Sequence, residues 1–267
     1  MRIIITFLFL AVYFNCKGQD YFELASREYF YGDLHKCIPL FDKAIENRQE
    51  VAKSYMYRGA AKAFLKMFDE AAVDLDSSKR YDSSNAKIYY YLGKLHLFKG
   101  EYKQAIRYYD QSIKGDKKDA FSYNERGTAK AALGNFAEAI KDEDIAISID
   151  SSREYFFNDR GFVRLELKQY PLAIGDFSMS LTILPNQKAY ANRGYANYLL
   201  CNYKEAIPDF TMSLSINSND PEVYYFRGVS YRILGDMEDA CSDLNRSKTL
   251  GYEKASAMLK ELKCQTK

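Results

Sequence analysis

Five arginines stand directly before a glycine, at Arg58, Arg126, Arg160, Arg193 and Arg227. A cation repeated in this way could grip a carboxylate or phosphate of a ligand, or pair with a carboxylate of its own chain. The residue sixteen positions later separates the two readings. It is Asp74, Asp142, Asp176, Asp209 and Asp243, whereas the equivalent places without arginine couple Leu24 with Leu40 and Leu92 with Tyr108. Charge accompanies charge and apolar accompanies apolar. The expectation is therefore an internal, partly buried and bidentate ion pair in each case, and the arginines leave the set of ligand residues.

Little else has the types and spacing of a reaction centre. The only histidines are His35 and His96, neither beside a nucleophile in a strand-turn-helix setting. No catalytic, cofactor-binding or metal-ligating residue is assigned, so the chain is read as a non-enzyme without a cofactor. Cys37, Cys201, Cys241 and Cys264 form no CxxC or cysteine-histidine cluster, which speaks against zinc and redox motifs. Free thiols are expected in preference to a Cys241–Cys264 bridge.

The elements behind the arginines repeat. Gly59, Gly93, Gly127, Gly161, Gly194 and Gly228 follow one another every 34 residues, with one interval of 33, and Ala25 takes the place of a first glycine. An aromatic precedes each by four residues: Tyr21, Tyr55, Tyr89, Tyr123, Phe157, Tyr190 and Tyr224. Twelve residues after each anchor stand Cys37, Ala71, Ala105, Ala139, Ala173, Ala206 and Ala240. Two helical stripes separated by a turn make each unit a helical hairpin, and small residues on both helices let their backbones approach. A hairpin brings the aspartate opposite a residue two from the arginine, an offset of about 3 Å at about 1.5 Å per residue.

This pattern resembles the tetratricopeptide repeat family, whose order of key positions reads Tyr89, Leu92, Gly93, Ala105, Tyr109 and Ser112 in the third unit. Tyrosine or phenylalanine replaces the family's tryptophan, Glu143 stands where a large apolar residue is expected, and only Pro185 matches the terminal proline. The expected fold is all-α: a right-handed α-solenoid of about seven hairpins over 18–51, 52–85, 86–119, 120–153, 154–186, 187–220 and 221–254. A capping helix over 255–267 presents Ala255, Met258, Leu259 and Leu262 on one face.

Residues 1–18 read as a signal peptide, with Arg2 ahead of the apolar run IIITFLFLAVYF. Cleavage after Gly18 is preferred over lipidation at Cys16, and an exported protein, periplasmic or secreted, is expected either way. Membrane attachment enters only through a lipid on Cys16. The 38 basic and 36 acidic residues leave a net charge of +2, too little to hold a nucleic acid by its phosphates.

The resemblance implies a concave groove lined by the first helix of each hairpin and a protein or peptide partner within it. Matching positions are Tyr57, Tyr90, Tyr91, Asn124, Glu125, Asn158, Asp159, Phe162, Asn192, Tyr195 and Tyr225. Tyrosine offers contact area at low entropic cost, and asparagine serves both donors and acceptors of a peptide. The family's carboxylate clamp of lysines and asparagines does not map here, because Glu125 and Asp159 would repel a terminal carboxylate. A non-enzymatic adaptor is the resulting expectation; a lipid-anchored envelope assembly protein and a glycan-binding solenoid are the alternatives.

Overall fold

The computed structural model describes residues 19–264. The proposed signal peptide and its Cys16 lie outside the described residues. Contacts cluster into two compact units, one reaching Lys117 and one starting at Lys118, each with its own apolar core.

The described residues hold fifteen α-helices and no strand. In the first unit three hairpins run as α1 Tyr21–Tyr31 with α2 Leu34–Glu46, α3 Val51–Phe64 with α4 Phe68–Tyr81, and α5 Ala86–Phe98 with α6 Tyr102–Gly115. The second unit has four: α7 Ala120–Ala132 with α8 Phe136–Ile149, α9 Glu154–Glu166 with α10 Tyr170–Ile183, α11 Gln187–Leu199 with α12 Tyr203–Ile216, and α13 Pro221–Leu234 with α14 Met237–Thr249. A last helix, α15 Glu253–Leu262, packs on α14. Within each unit every hairpin packs on the next, and the first helices of successive hairpins also touch, so they share one face.

The spacing of small residues produces the tight helix pairs. Ala71, Ala105, Ala139, Ala173, Ala206 and Ala240 are fully buried. A Cβ on Gly59 would come within 3.1 Å of the Ala71 carbonyl oxygen, and one on Gly228 within 3.2 Å of that of Ala240. From the second hairpin to the seventh, the turn holds a left-handed residue seven places after the anchor, whereas Gly32 in the first has φ -130°. Gly100, Gly134 and Gly235 supply it without strain, while Lys66, Lys168 and Cys201 adopt the same positive φ. Pro39 and Pro208 lie inside α2 and α12 without ending them, and Pro171 occupies the first turn of α10.

The C-terminal end differs from the expectation of free thiols. Cys241 on α14 is disulfide-bonded to Cys264, just beyond α15, with Cα atoms 5.6 Å apart. The hairpin period ends at α14, and α15 folds back with Ala255 and Leu259 buried against Val229 and Leu244. That return brings the two sulfurs together, which spacing along the chain does not reveal. Cys37 is a buried free thiol and Cys201 an exposed one; burial pushes the Cys37 pKa up to about 11.

Candidate functional site

Each Arg-Gly arginine turns toward the second helix of its hairpin. Arg58 Nε donates to Asp74 Oδ2 at 2.8 Å, Arg126 Nε to Asp142 at 2.9 Å, Arg193 Nε to Asp209 at 2.9 Å and Arg227 Nε to Asp243 at 2.7 Å, with Nη2 on the second carboxylate oxygen. Arg160 reaches both oxygens of Asp176, Nη2 at 2.6 Å from Oδ1. The aspartates are buried. Three further partners complete the arrangement. Each guanidinium lies 5.2–5.9 Å from the ring three residues earlier, over Tyr55, Tyr123, Phe157, Tyr190 and Tyr224. The base one turn on adds a second cation to three aspartates, through Lys62, Lys130 and Arg164. Nη1 crosses to the preceding hairpin, where Arg58 meets Asp42, Arg160 meets Asp144, Arg193 meets Ser178 and Arg227 meets Thr211.

Of the groove positions, three are buried rather than presented to a partner. Tyr57 and Tyr91 belong to the core of the first unit, where Tyr57 packs among Phe22, Tyr29, Phe30 and Phe41. Hairpins rich in aromatics on adjacent first helices fill their own interior. Tyr90 is half-buried, its ring edge-on to Tyr91 at 5.2 Å. Asn124 is 3% exposed because Glu143 occupies the core place that Phe177 and Phe210 fill in the next two hairpins. Asn124 Nδ2 donates to Glu143 Oε2 at 2.8 Å and to Asp159 Oδ2 at 3.0 Å. Burial, then the charge of Asp159, holds the Glu143 carboxyl well above the usual carboxylate range. Burial raises Asp159 as well. Glu125 is half-buried and adds to the negative field on both.

The remaining positions form a surface in the second unit. Asn158, next to Asp159 in the chain, accepts from Asn192 Nδ2 at 3.2 Å. Side-chain hydrogen bonds thus run from α7 to Asp159 on α9 and from α11 to its neighbour Asn158. Beside it, Phe162, Asn192 and Tyr195 line an open cavity of about 400 Å³ between α9, α11 and α13. Tyr225 does not line it; its ring packs on Phe226 and, at 5.1 Å, on Tyr252 near the start of α15. Gln187, Lys188, Glu166, Asp220 and Glu222 also border the cavity. They stand a turn before or after the positions chosen from the sequence, so extending the same face by one helical turn each way would have found most of them.

His96 Nδ1 contacts Glu101 Oε2, and the ring stacks on Tyr108. Among the described residues no cluster of three metal-ligating side chains occurs, and no helix is long and apolar enough to cross a membrane.

Paired antiparallel helices, the first of each pair notched by glycine or, in α1, by Ala25, define a helical-hairpin repeat protein. Residues 90–154 and 221–250 each match a tetratricopeptide repeat model, so the chain carries tetratricopeptide repeats. Its fold is similar to that of the APC/C hetero-tetramer Cut9-Hcn1, with a TM-score of 0.77 and 19% identity over 94% of this chain and 50% of that one. Pseudomonas aeruginosa pilF gives 0.71 and 19%, covering 78% of this chain and 98% of that one. YrrB, described as a tetratricopeptide repeat protein with an unusual peptide-binding site, gives 0.59 and 18%, covering 70% and 97%. At such identities the likeness establishes the fold. A comparison with curated proteins finds no match.

Proposed function

We propose that the protein is a scaffold that binds an extended segment of a protein partner along the first helices of its second unit. The observation that carries this reading is the open cavity between α9, α11 and α13, where apolar rings stand beside amides able to pair with a main chain. Asn192 uses one amide hydrogen on Asn158 and keeps its carbonyl oxygen and a second hydrogen. YrrB's peptide-binding site lends the same reading support by analogy of fold. The near balance of charge favours a protein partner over nucleic acid.

Photo-crosslinking tests it. A benzophenone amino acid at Ala191, which lines the cavity, should trap a partner from a native extract, whereas one at the exposed Thr182 on α10 should not. Adding Tyr195→Ala should abolish the Ala191 product. Equal products at both sites would sink the reading.

Export from the cytoplasm is part of this proposal, and the Cys241–Cys264 disulfide supports it, since such bridges persist in oxidising compartments. Mass spectrometry of the native protein distinguishes a chain beginning after Gly18 from one lipidated at Cys16; an unprocessed Met1 would refute export by this leader.

A further inference from the structure

The cavity between α9, α11 and α13 is chemically lopsided. Its floor is apolar, with Phe210, Leu165 and Val223 buried, and Tyr195 and Phe226 stand beside it with ring centroids 4.7 Å apart. A volume of about 400 Å³ is at the small end of ligand pockets, which run from about 300 to about 1,000 Å³. It has room for one bulky side chain and the main chain next to it.

The border adds the second half of the argument. Lys188 is the one base lining the cavity, and its charge acts on the half-buried Asp159. Asp220 is committed to the fold: it caps α13 through the amides of Glu222 and Val223 and accepts from Gln187 Nε2 at 3.0 Å. Glu166 and Glu222 are left, both exposed. Glu166 has no ion-pair partner among the described residues, and Glu222 accepts only a long 3.4 Å bond from the Tyr252 hydroxyl, with Lys254 contributing a field nearby. Two carboxylates at the edge of an apolar wall focus a negative potential on whatever enters.

We propose that this cavity takes an aromatic or large aliphatic side chain of an extended partner segment, and that a lysine or arginine adjoining that anchor pairs with Glu166 or Glu222. The inference rests on the scaffold reading above and narrows it to a basic, apolar-anchored peptide. An acidic segment, or a chain end presenting its carboxylate, meets repulsion at the same edge.

Three labelled peptides of equal length test it by fluorescence anisotropy against the full chain without its leader. One has a central phenylalanine flanked by lysines, one the same phenylalanine flanked by glutamates, and one alanine between lysines. The first should bind about tenfold or more tighter than either other, a difference of about 1.4 kcal/mol. Combined Glu166→Gln and Glu222→Gln should weaken the first severalfold, leave the second unchanged or tighter, and leave the thermal midpoint intact because both side chains are exposed. Equal or tighter binding of the glutamate peptide, or equal binding of the alanine peptide, overturns the inference while leaving groove binding in place. Binding of none of the three at millimolar concentration also overturns it, and the scaffold reading then stands or falls on the crosslinking result alone.

Discussion

Asp209 is almost fully enclosed and its charge is matched by Arg193 alone, whereas Asp176 is held by both Arg160 and Arg164. The coupling within an Arg-Asp pair is therefore clean in the sixth hairpin, as in the seventh, where Arg227 alone meets Asp243. Arg193→Leu, which leaves Asp209 buried without its cation, should destabilise by about 3 kcal/mol, and the double change with Asp209→Leu by clearly less. Urea unfolding of the three variants checks this; a double variant as unstable as the sum of the singles refutes the coupling. The sixteen-residue spacing made these pairs legible, but the partner on the preceding hairpin lies fifteen or sixteen residues back and is Asp, Ser or Thr, so no single residue type marks it. Glu143 is the other residue with a measurable signature. Its carboxyl keeps its proton in the folded protein at pH values where the unfolded chain, with a carboxyl near 4.5, has lost it. Its contribution to stability is thus complete below that value and declines as pH rises toward the folded one. Asp159, Asp142 and Glu125 push in the same direction. Glu143→Leu should raise stability at pH 8 by about 1–3 kcal/mol and flatten its fall between pH 5 and pH 8, with a residual slope from Asp159. An unchanged pH profile in that variant would contradict the assignment.

At the scale of the helix, two glycines that look alike in sequence have opposite meanings. Gly161 on α9 faces α10 so closely that a Cβ would lie 2.7 Å from the Phe177 ring and 3.1 Å from the Asp176 Cβ. Gly175 on α10 is exposed, and a Cβ there would meet nothing within 4 Å. Gly175→Ala should stabilise by about 1 kcal/mol through helix propensity. Gly161→Ala should destabilise by about 1–3 kcal/mol through overpacking. Thermal melts of both check the contrast, and the same sign for the two would refute the packing account. The 34-residue period identified Gly161 as a contact point because a small residue recurs there and again twelve residues later in every hairpin. Gly175 has no repeat counterpart, and its open surroundings could only be seen once the helices were placed.

For the molecule as a whole, repeats transmit stability mainly to their neighbours, so a staple at one end should act locally. The Cys241–Cys264 loop spans 23 residues, for which chain entropy gives about 3 kcal/mol. Paired Cys241→Ser and Cys264→Ser changes should raise amide exchange in α15 and α14 while leaving α7 to α9 protected; uniform loss of protection across the second unit would show a cooperativity that nearest-neighbour stacking does not provide. Sequence alone determined the hairpins, their period and the Arg-Asp register, because each is a rule about residues a fixed number of steps apart. Tertiary structure decided which groove positions are open. Tyr57, Tyr91 and Asn124 share their repeat positions with Asp159, Asn192 and Asn158, yet they are buried, because what covers a side chain is the size and polarity of its neighbours on the adjoining hairpin. Phe22, Tyr29 and Phe41 enclose Tyr57, and the buried Glu143 draws Asn124 inward. The bridge between Cys241 and Cys264 belongs to the same class of fact: it depends on how α15 folds back on α14, a distance in space that no interval along the chain encodes.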